Sequence, residues 1–153
     1  MLGFGTYGTR GLSTEEAIRL IAKSGYDAIE LTVNASWDAS PEMMPAPRRE
    51  RIRDQLAESG LQLTSLMESI NPSADRAQQH KNMDRLRGSA ELGRQLSAGH
   101  PPQIQTVLGS GNWEERRQMF VDRLGRWAEL ARETGTVISI KPHRGGAMSR
   151  PSE

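Results

Sequence analysis

Titratable and polar side chains fall at or just after the ends of predicted strands. In chain order they are Tyr7, Glu30, Glu68, Lys141 and His143. A carboxylate can act as a general base, a histidine can shuttle a proton or bind a metal, and a lysine can contact a substrate or a phosphate. Because α/β proteins place their chemistry where strands end, we expect these residues to form the functional site.

The strongest single candidate is His143, within the segment Lys-Pro-His-Arg-Gly-Gly after the fifth predicted strand. The two glycines allow the backbone to approach a ligand, and the adjacent Arg144 is a candidate substrate contact. Structural alternatives remain open for the other residues. Glu30 could pair with an arginine, and Lys141 could form an ion pair instead of binding substrate. Glu68, at a loop entry, is expected to be solvated.

The alternation of side chains along a strand assigns these residues to faces. Glu30 lies opposite the apolar face of the second predicted strand, so its carboxylate points into a barrel or towards a ligand-binding edge. Glu68 is predicted to lie on the same face as Thr64 and Leu66 of the third strand. Lys141 shares parity with His143. The apolar face of the second strand, expected to pack under helices, carries Ile29, Leu31 and Val33.

A repeat of about 36 residues positions these side chains. An amphipathic stretch, a glycine and a short β-rich run recur four times, with the glycines spaced 35, 39 and 36 residues apart. Glycine in the left-handed conformation ends a helix without strain, and the spacing fits one helix plus one strand. The marker glycines are Gly25, Gly60, Gly99 and Gly135.

The segments between these glycines predict five strands and four helices that alternate, and therefore a parallel sheet. The strands are Leu2–Tyr7, Tyr26–Val33, Leu61–Met67, Gln103–Leu108 and Val137–Ile140. The first helix begins with a capping box from Ser13 to Glu16, and the fourth is capped by Asn112 with Glu115. The buried face of the fourth helix is predicted to hold Phe120, Leu124, Trp127, Ala128 and Ala131.

Composition excludes several classes of protein. The chain has 153 residues, a net charge of +1 and no cysteine, which leaves no disulfide scaffold, thiolate zinc site or cysteine nucleophile. Neither a membrane span nor a nucleic-acid-coating polycation is indicated. No signal peptide is recognisable, so we expect a cytoplasmic protein.

A dinucleotide-binding fingerprint is a weaker alternative. Gly3, Gly5 and Gly8 match G-x-G-x-x-G, and Glu30 follows 22 residues after Gly8. Only two residues precede the first glycine, however, and the capping box at Ser13 places the helix five residues after the third. The spacing therefore favours another fold over a dinucleotide-binding α/β domain.

The opening Leu-Gly-Phe-Gly-Thr-Tyr and the later Ser-Gly-Tyr-Asp-Ala-Ile-Glu-Leu resemble the first two strands of the xylose-isomerase-like TIM-barrel family. The segment Ile-Ser-Ile-Lys-Pro-His is similar to a later family strand. The resemblance implies an isomerase or epimerase that abstracts a proton next to the carbonyl of a sugar or sugar phosphate. Glu30 or Glu68 would be the base, His143 and Tyr7 would contact substrate, and a divalent metal, Mn or Mg, would assist.

Lys141 departs from the family pattern, since it stands where the family has a metal-ligating glutamate. A protonated amine cannot ligate a cation, so Lys141 could supply the positive charge in place of the metal. The family's abasic-site endonucleases need several histidines at strand ends. Because no histidine precedes His80, sugar chemistry is favoured over DNA repair.

Length indicates a partial (β/α)8 barrel. Eight units of about 36 residues would need roughly 290, within the usual range for this fold. We therefore expect residues 1–153 to be one partial domain, cut at the start of a fifth helix in Ser149–Glu153 and inactive by itself. The alternative is a non-catalytic remnant of a barrel that self-associates into a homo-oligomer.

Overall fold

A computed structural model describes residues 1–150 and shows five strands alternating with four α-helices. The strands are β1 Gly3–Gly5, β2 Ala28–Thr32, β3 Gln62–Met67, β4 Gln103–Thr106 and β5 Ile138–Ile140. The α-helices are α1 Thr14–Lys23, α2 Ala46–Glu58, α3 Arg76–Leu96 and α4 Trp113–Thr134, with short 3-10 helices at Thr6–Thr9 and Pro41–Met43. None of these helices is long and apolar enough to cross a membrane.

All five strands are parallel and lie in chain order, β1-β2-β3-β4-β5. This order confirms the predicted α/β fold and the partial TIM barrel. It contradicts the dinucleotide-binding alternative, because a doubly wound sheet reverses its strand order at the cofactor site. Gly3 and Gly5 lie within β1, and so they do not form a loop that leads into a helix.

Local sequence signals fix most helix ends. Ser13 and Glu16 form the predicted capping box on α1, while the side chain of Asn112 caps α4 by accepting from the backbone amide of Glu114. Asp75 caps α3 in the same way, by accepting from the amide of Gln78. The four N-terminal amides of a helix lack internal partners, which explains why these polar residues mark the boundaries.

Three of the four marker glycines occupy the left-handed region, as predicted. The φ values are +81° at Gly25, +67° at Gly60 and +69° at Gly135. The prediction that Gly99 ends the third helix is wrong, because α3 ends at Leu96 and the following Ser97 adopts an extended conformation. The longer spacing before Gly99 thus reflects a loop of different design.

The helices cover one face of the sheet and build the core there. Ile29, Leu31 and Val33 are fully buried in a cluster with residues of α1, α2 and α3, which confirms their predicted face. A second cluster centres on Trp127 of α4. The prediction for Ala128 is wrong because this side chain is exposed. The buried α4 residues are Phe120, Trp127 and Leu130.

β1 is shorter than predicted, and this moves Tyr7. The strand ends at Gly5, and the chain then turns into the 3-10 helix that contains Tyr7. Thr6, the first residue of that helix, is buried, and its hydroxyl oxygen accepts the backbone amide of Thr32 at 2.8 Å. This bond diverts the chain at the end of β1. The predicted fifth helix reaches residues 151–153, which lie outside the described residues, and its described part, residues 149–150, is not helical.

Candidate active site at the strand ends

Glu30 lies on the face of the sheet opposite the helices, which we call the inner face. Its carboxylate accepts hydrogen bonds from the Ser65 hydroxyl at 2.6 Å and from the Gln105 amide nitrogen at 3.3 Å. On the other side, a Cβ atom added to Gly5 would stand only 3.1 Å from Glu30 Oε1. Residues of β1, β3 and β4 thus surround this carboxylate, and no cation within residues 1–150 pairs with it within 4 Å.

An irregularity in β3 brings Ser65 opposite Glu30. The β2–β3 register shifts between Ile29 and Glu30, so that Ile29 pairs with Leu63 and Glu30 with Ser65. Thr64 is the extra residue, and a bulge of this kind reverses the alternation that follows. Assigning faces from the sequence assumes regular alternation along the whole strand, and so it cannot show the reversal at Thr64.

Glu68 does not share the inner face and is not solvated, which corrects the sequence expectation. Its side chain is only 1% exposed and lies between β3 and α3. Both carboxylate oxygens accept from Arg85 Nη2, at 2.7 and 2.6 Å, and the Ser89 hydroxyl lies 3.4 Å away. The same Arg85 nitrogen reaches the Val33 carbonyl at 3.3 Å. Glu68 therefore ties α3 to the ends of two strands.

Burial raises the pKa of Glu68 above its ordinary value, and the hydrogen bonds from Arg85 only partly oppose the rise. A raised pKa in a cleft can mark a catalytic acid, but structural ion pairs produce the same shift. The short contacts of both carboxylate oxygens with Arg85 Nη2 favour a structural role here.

Lys141, His143 and Arg144 lie on an exposed segment that follows β5. The backbone holds this segment in place: the amide of Ala147 donates to the Gly109 carbonyl at 2.7 Å, and His143 exchanges backbone bonds within the turn. Lys141 continues the parity of Ser139, which pairs with Gln105 on the inner face. No hydrogen bond or ion pair joins these three side chains to Glu30 within the described part of the chain.

Tyr7 lies at the edge of the site in an aromatic and cationic group. Its ring stacks on Trp37 with 5.5 Å between centroids, and the Arg10 guanidinium lies 4.9 Å from the centre of the Trp37 ring. Arg10 and Trp37 line a pocket of about 110 Å³ at the ends of β1 and β2. Thr32 also lines this pocket, and its buried hydroxyl has no hydrogen-bond partner within residues 1–150. A small polar group or a water can bind there.

Sequence reasoning missed several residues of this region. Ser65 and Gln105 bind Glu30, Trp37 supports Tyr7, and Arg85 neutralises Glu68. A signal for the first two existed, since both are uncharged polar side chains inside predicted strands. Trp37 and Arg85 carry no such signal, because their partners are more than 15 residues away in the chain.

The residues described do not fit a metal site. No group of three or more histidine, aspartate or glutamate side chains that could hold a metal ion occurs within residues 1–150. Glu30 lies on β2 and His143 follows β5, and β3 and β4 lie between these two strands. We therefore assign no step of the chemistry to a metal bound by these residues.

The sequence profile of the xylose isomerase-like TIM barrel family matches residues 18–153. No curated protein matches the chain in sequence. Among solved structures, the probable 3-DHS dehydratase AsbF of Bacillus anthracis, involved in petrobactin synthesis, superimposes with a TM-score of 0.76 at 18% identity. That match covers 95% of this chain and 53% of AsbF.

Two further structures share the fold. The IolI protein, which was solved with a bound zinc atom, gives a TM-score of 0.74 at 17% identity over 96% of this chain and 54% of its own. A xylose isomerase-like TIM barrel/4-hydroxyphenylpyruvate dioxygenase fusion protein gives 0.64 at 20% identity over 90% of this chain and 21% of its own. The chain thus spans about half the length of AsbF and IolI. It belongs to the xylose isomerase-like TIM barrel family.

Proposed function

We propose that the chain supplies the first half of a sugar isomerase or epimerase site, in which Glu30 removes a proton from the carbon next to a carbonyl. The observation that carries this proposal is the setting of Glu30: it is half-buried on the inner face, hydrogen-bonded to Ser65 and Gln105 and free of any ion pair within residues 1–150. A carboxylate that hydrogen bonds hold in place, with no cation beside it, is placed to accept a proton from a bound substrate.

The step can be written with this chain's own groups. The proton passes from the substrate carbon to a Glu30 oxygen, and the electrons of the broken C–H bond form an enediolate with negative charge on the former carbonyl oxygen. Lys141 provides the positive charge that stabilises this oxygen. For isomerisation, the proton returns to the former carbonyl carbon while the proton of the adjacent hydroxyl moves to the former carbonyl oxygen, so that the carbonyl changes place. For epimerisation, the proton returns to the opposite face of the carbon that lost it.

The remaining candidates fit the role of substrate contacts. His143 and Arg144 are exposed beside Lys141, and Tyr7 offers an aromatic surface and a hydroxyl at the opposite end of the arc of strands. Hydroxyl-rich ligands need such donors and acceptors around an aromatic wall. Glu68 is not part of the proposed chemistry, because Arg85 holds it against α3. The cytoplasmic location stays a prediction.

Solvent exchange into the substrate tests this proposal. We expect the full-length protein to incorporate deuterium from D2O next to the carbonyl of a ketose or ketose phosphate, as measured by proton NMR. Glu30→Gln should slow the exchange by at least about 100-fold, since general bases contribute 10²–10⁴-fold. Lys141→Met should slow it as well, because the enediolate loses its counter-charge.

Matched variants control for unspecific effects of charge. Glu58→Gln and Lys81→Met change exposed residues on the outer helices α2 and α3, and both should leave the exchange rate unchanged. Wild-type exchange in Glu30→Gln would exclude Glu30 as the base. Wild-type exchange in Lys141→Met would remove Lys141 from the mechanism.

A further inference from the structure

A groove between α3 and α4 lies outside the region described above. It has a volume of about 880 Å³ and is lined by residues that include Arg76, Gln79, His80, Met83, Arg123 and Arg126. None of them takes part in the proposed chemistry. Small-molecule sites typically measure 300–1,000 Å³ and combine apolar walls with a few converging polar groups, and this groove fits that description.

The unusual feature of the groove is Gln79. Its side chain is only 4% exposed, yet neither its amide nitrogen nor its carbonyl oxygen has a hydrogen-bond partner within residues 1–150. Buried amides are almost always hydrogen-bonded, because leaving them unpaired costs free energy. The carboxamide of Gln79 presents one donor and one acceptor side by side at the groove, and a ligand with the complementary pair would satisfy both.

The charge around Gln79 is positive. Arg76 and Arg126 are exposed and have no acidic partner within 4 Å in residues 1–150, while Arg123 is held by the carbonyls of Ser73 and Ala74. Among residues 1–150, the one acidic side chain that pairs with a lining residue is Asp84, whose carboxylate lies 3.8 Å from His80 Nε2. Guanidinium groups bind phosphate through paired hydrogen bonds, so this surface favours a phosphorylated ligand.

We propose that the α3–α4 groove binds a phosphorylated heterocycle of the purine nucleotide class, with the phosphate on Arg76 and Arg126 and the base edge on Gln79. A glutamine amide matches the adjacent donor and acceptor of adenine, N6 and N7, in a bidentate pair. Met83 supplies an apolar surface for the ring. Because α3 and α4 are adjacent in the fold, the site needs no strand beyond β5.

Calorimetric titration with AMP tests the site, with adenosine and ribose 5-phosphate as the two halves of the probe. We expect AMP to bind with a submillimolar Kd and each half at least 10-fold more weakly. Gln79→Leu should weaken AMP about 10-fold without affecting ribose 5-phosphate. Arg126→Gln should weaken both phosphorylated ligands, and Arg132→Gln, on an exposed part of α4 outside the groove, should change neither.

Several results would overturn the proposal. These are the absence of AMP binding to the wild type, equal affinity for inorganic phosphate and AMP, or unchanged AMP affinity in Gln79→Leu. Thermal melting of each variant without ligand shows whether it folds. Arg126→Gln alters an exposed side chain, so its affinity for AMP tests the phosphate contact even if Gln79→Leu fails to fold. The deuterium-exchange assay for Glu30 is independent of all these measurements.

Discussion

Two carboxylates near the centre of the sheet have opposite environments. Glu30 faces away from the helices and receives hydrogen bonds from uncharged groups, while Glu68 is buried against α3 and receives the Arg85 guanidinium. Burial favours the neutral form of Glu68 and raises its pKa, while the hydrogen bonds and charge of Arg85 favour the charged form. The difference in partners separates a candidate base from a structural ion.

Arg85→Met should therefore destabilise the protein strongly, by about 3–5 kcal/mol at neutral pH, because it leaves the Glu68 carboxylate buried without a cationic partner. Glu68→Gln should cost less, since Arg85 is 26% exposed and lies 3.9 Å from Glu42. Chemical denaturation measures both. The matched control is Arg87→Met on the same helix, whose ion pair with Glu133 is exposed and should contribute at most about 1 kcal/mol.

The pH dependence has a defined sign. A carboxyl whose pKa is raised on folding binds its proton more tightly in the native state, so its contribution to stability falls as pH rises above the ordinary value of 4.5. Without Arg85 the rise in pKa is larger. The loss of stability in Arg85→Met should thus be smaller at pH 5 than at pH 8, and an equal loss at both would contradict the assignment of Glu68 as a buried carboxylate.

The inner-face position of Glu30 follows from its sequence alone, because residues 29–33 alternate between apolar and polar side chains. β3 gives no such pattern. It has apolar residues at both Leu63 and Leu66, three apart, and both are buried with the helices. Residues three apart can share one face of a strand only if a bulge lies between them. The position of this bulge is set by pairing with β2, which is a non-local contact. The environment of Glu68 could not be predicted without Arg85, which is 17 residues away.

At the scale of elements, Arg48 joins three segments at the start of α2. Its guanidinium binds Glu15 of α1 at 2.7 Å and Asp38 of the loop after β2 at 2.6 Å, and it also reaches the carbonyls of Asp38 and Met43. The sequence alone predicts a solvated helix face for the run Arg48, Arg49, Arg51 and Arg53. For Arg48 this prediction is wrong, since its side chain is only 15% exposed. Arg49 also has structural contacts, because its guanidinium donates to the carbonyls of Met44 and Pro41.

Arg48→Lys should destabilise the protein by about 1 kcal/mol, because a lysine ammonium cannot form the planar, forked set of bonds. Arg48 lowers the pKa of Glu15 through its hydrogen bonds. For Asp38, burial acts in the opposite direction, but the bonds from Arg48 and Thr14 together lower the pKa. Their stabilisation is complete above the ordinary values of 4.5 and 3.8 and is lost as pH falls below them.

Denaturation midpoints between pH 2.5 and 7 check this prediction. As the pH falls, the free energy of unfolding should decrease less in Arg48→Lys than in the wild type, because the variant already lacks part of the pH-dependent stabilisation. Arg51→Lys, three residues further along α2 and exposed, provides the control and should keep the wild-type profile. Identical profiles for wild type and Arg48→Lys would show that the three-segment contact does not stabilise the fold.

At the scale of the whole molecule, the sheet of residues 1–150 is an open arc. β1 pairs only with β2 and β5 only with β4, whereas a closed eight-stranded barrel has no free edge. Unpaired strand edges attract further strands. The number and order of these strands were predictable, because each helix–strand unit repeats a local pattern. What covers the inner face is not encoded in any local pattern.

We therefore expect the 153-residue chain by itself to self-associate through its strand edges, as measured by sedimentation velocity over a range of concentrations. Val137, 61% exposed just before β5, and Val121, 60% exposed on α4, form a matched pair for the test. Val137→Lys places a charge beside the free edge and should weaken association, while Val121→Lys should not, because α4 lies on the outer layer. A monomer at every concentration, or an equal effect of the two substitutions, would show that the edges are protected in another way. In that case the polar network around Glu30 would have to be open to solvent in a stable five-stranded arc.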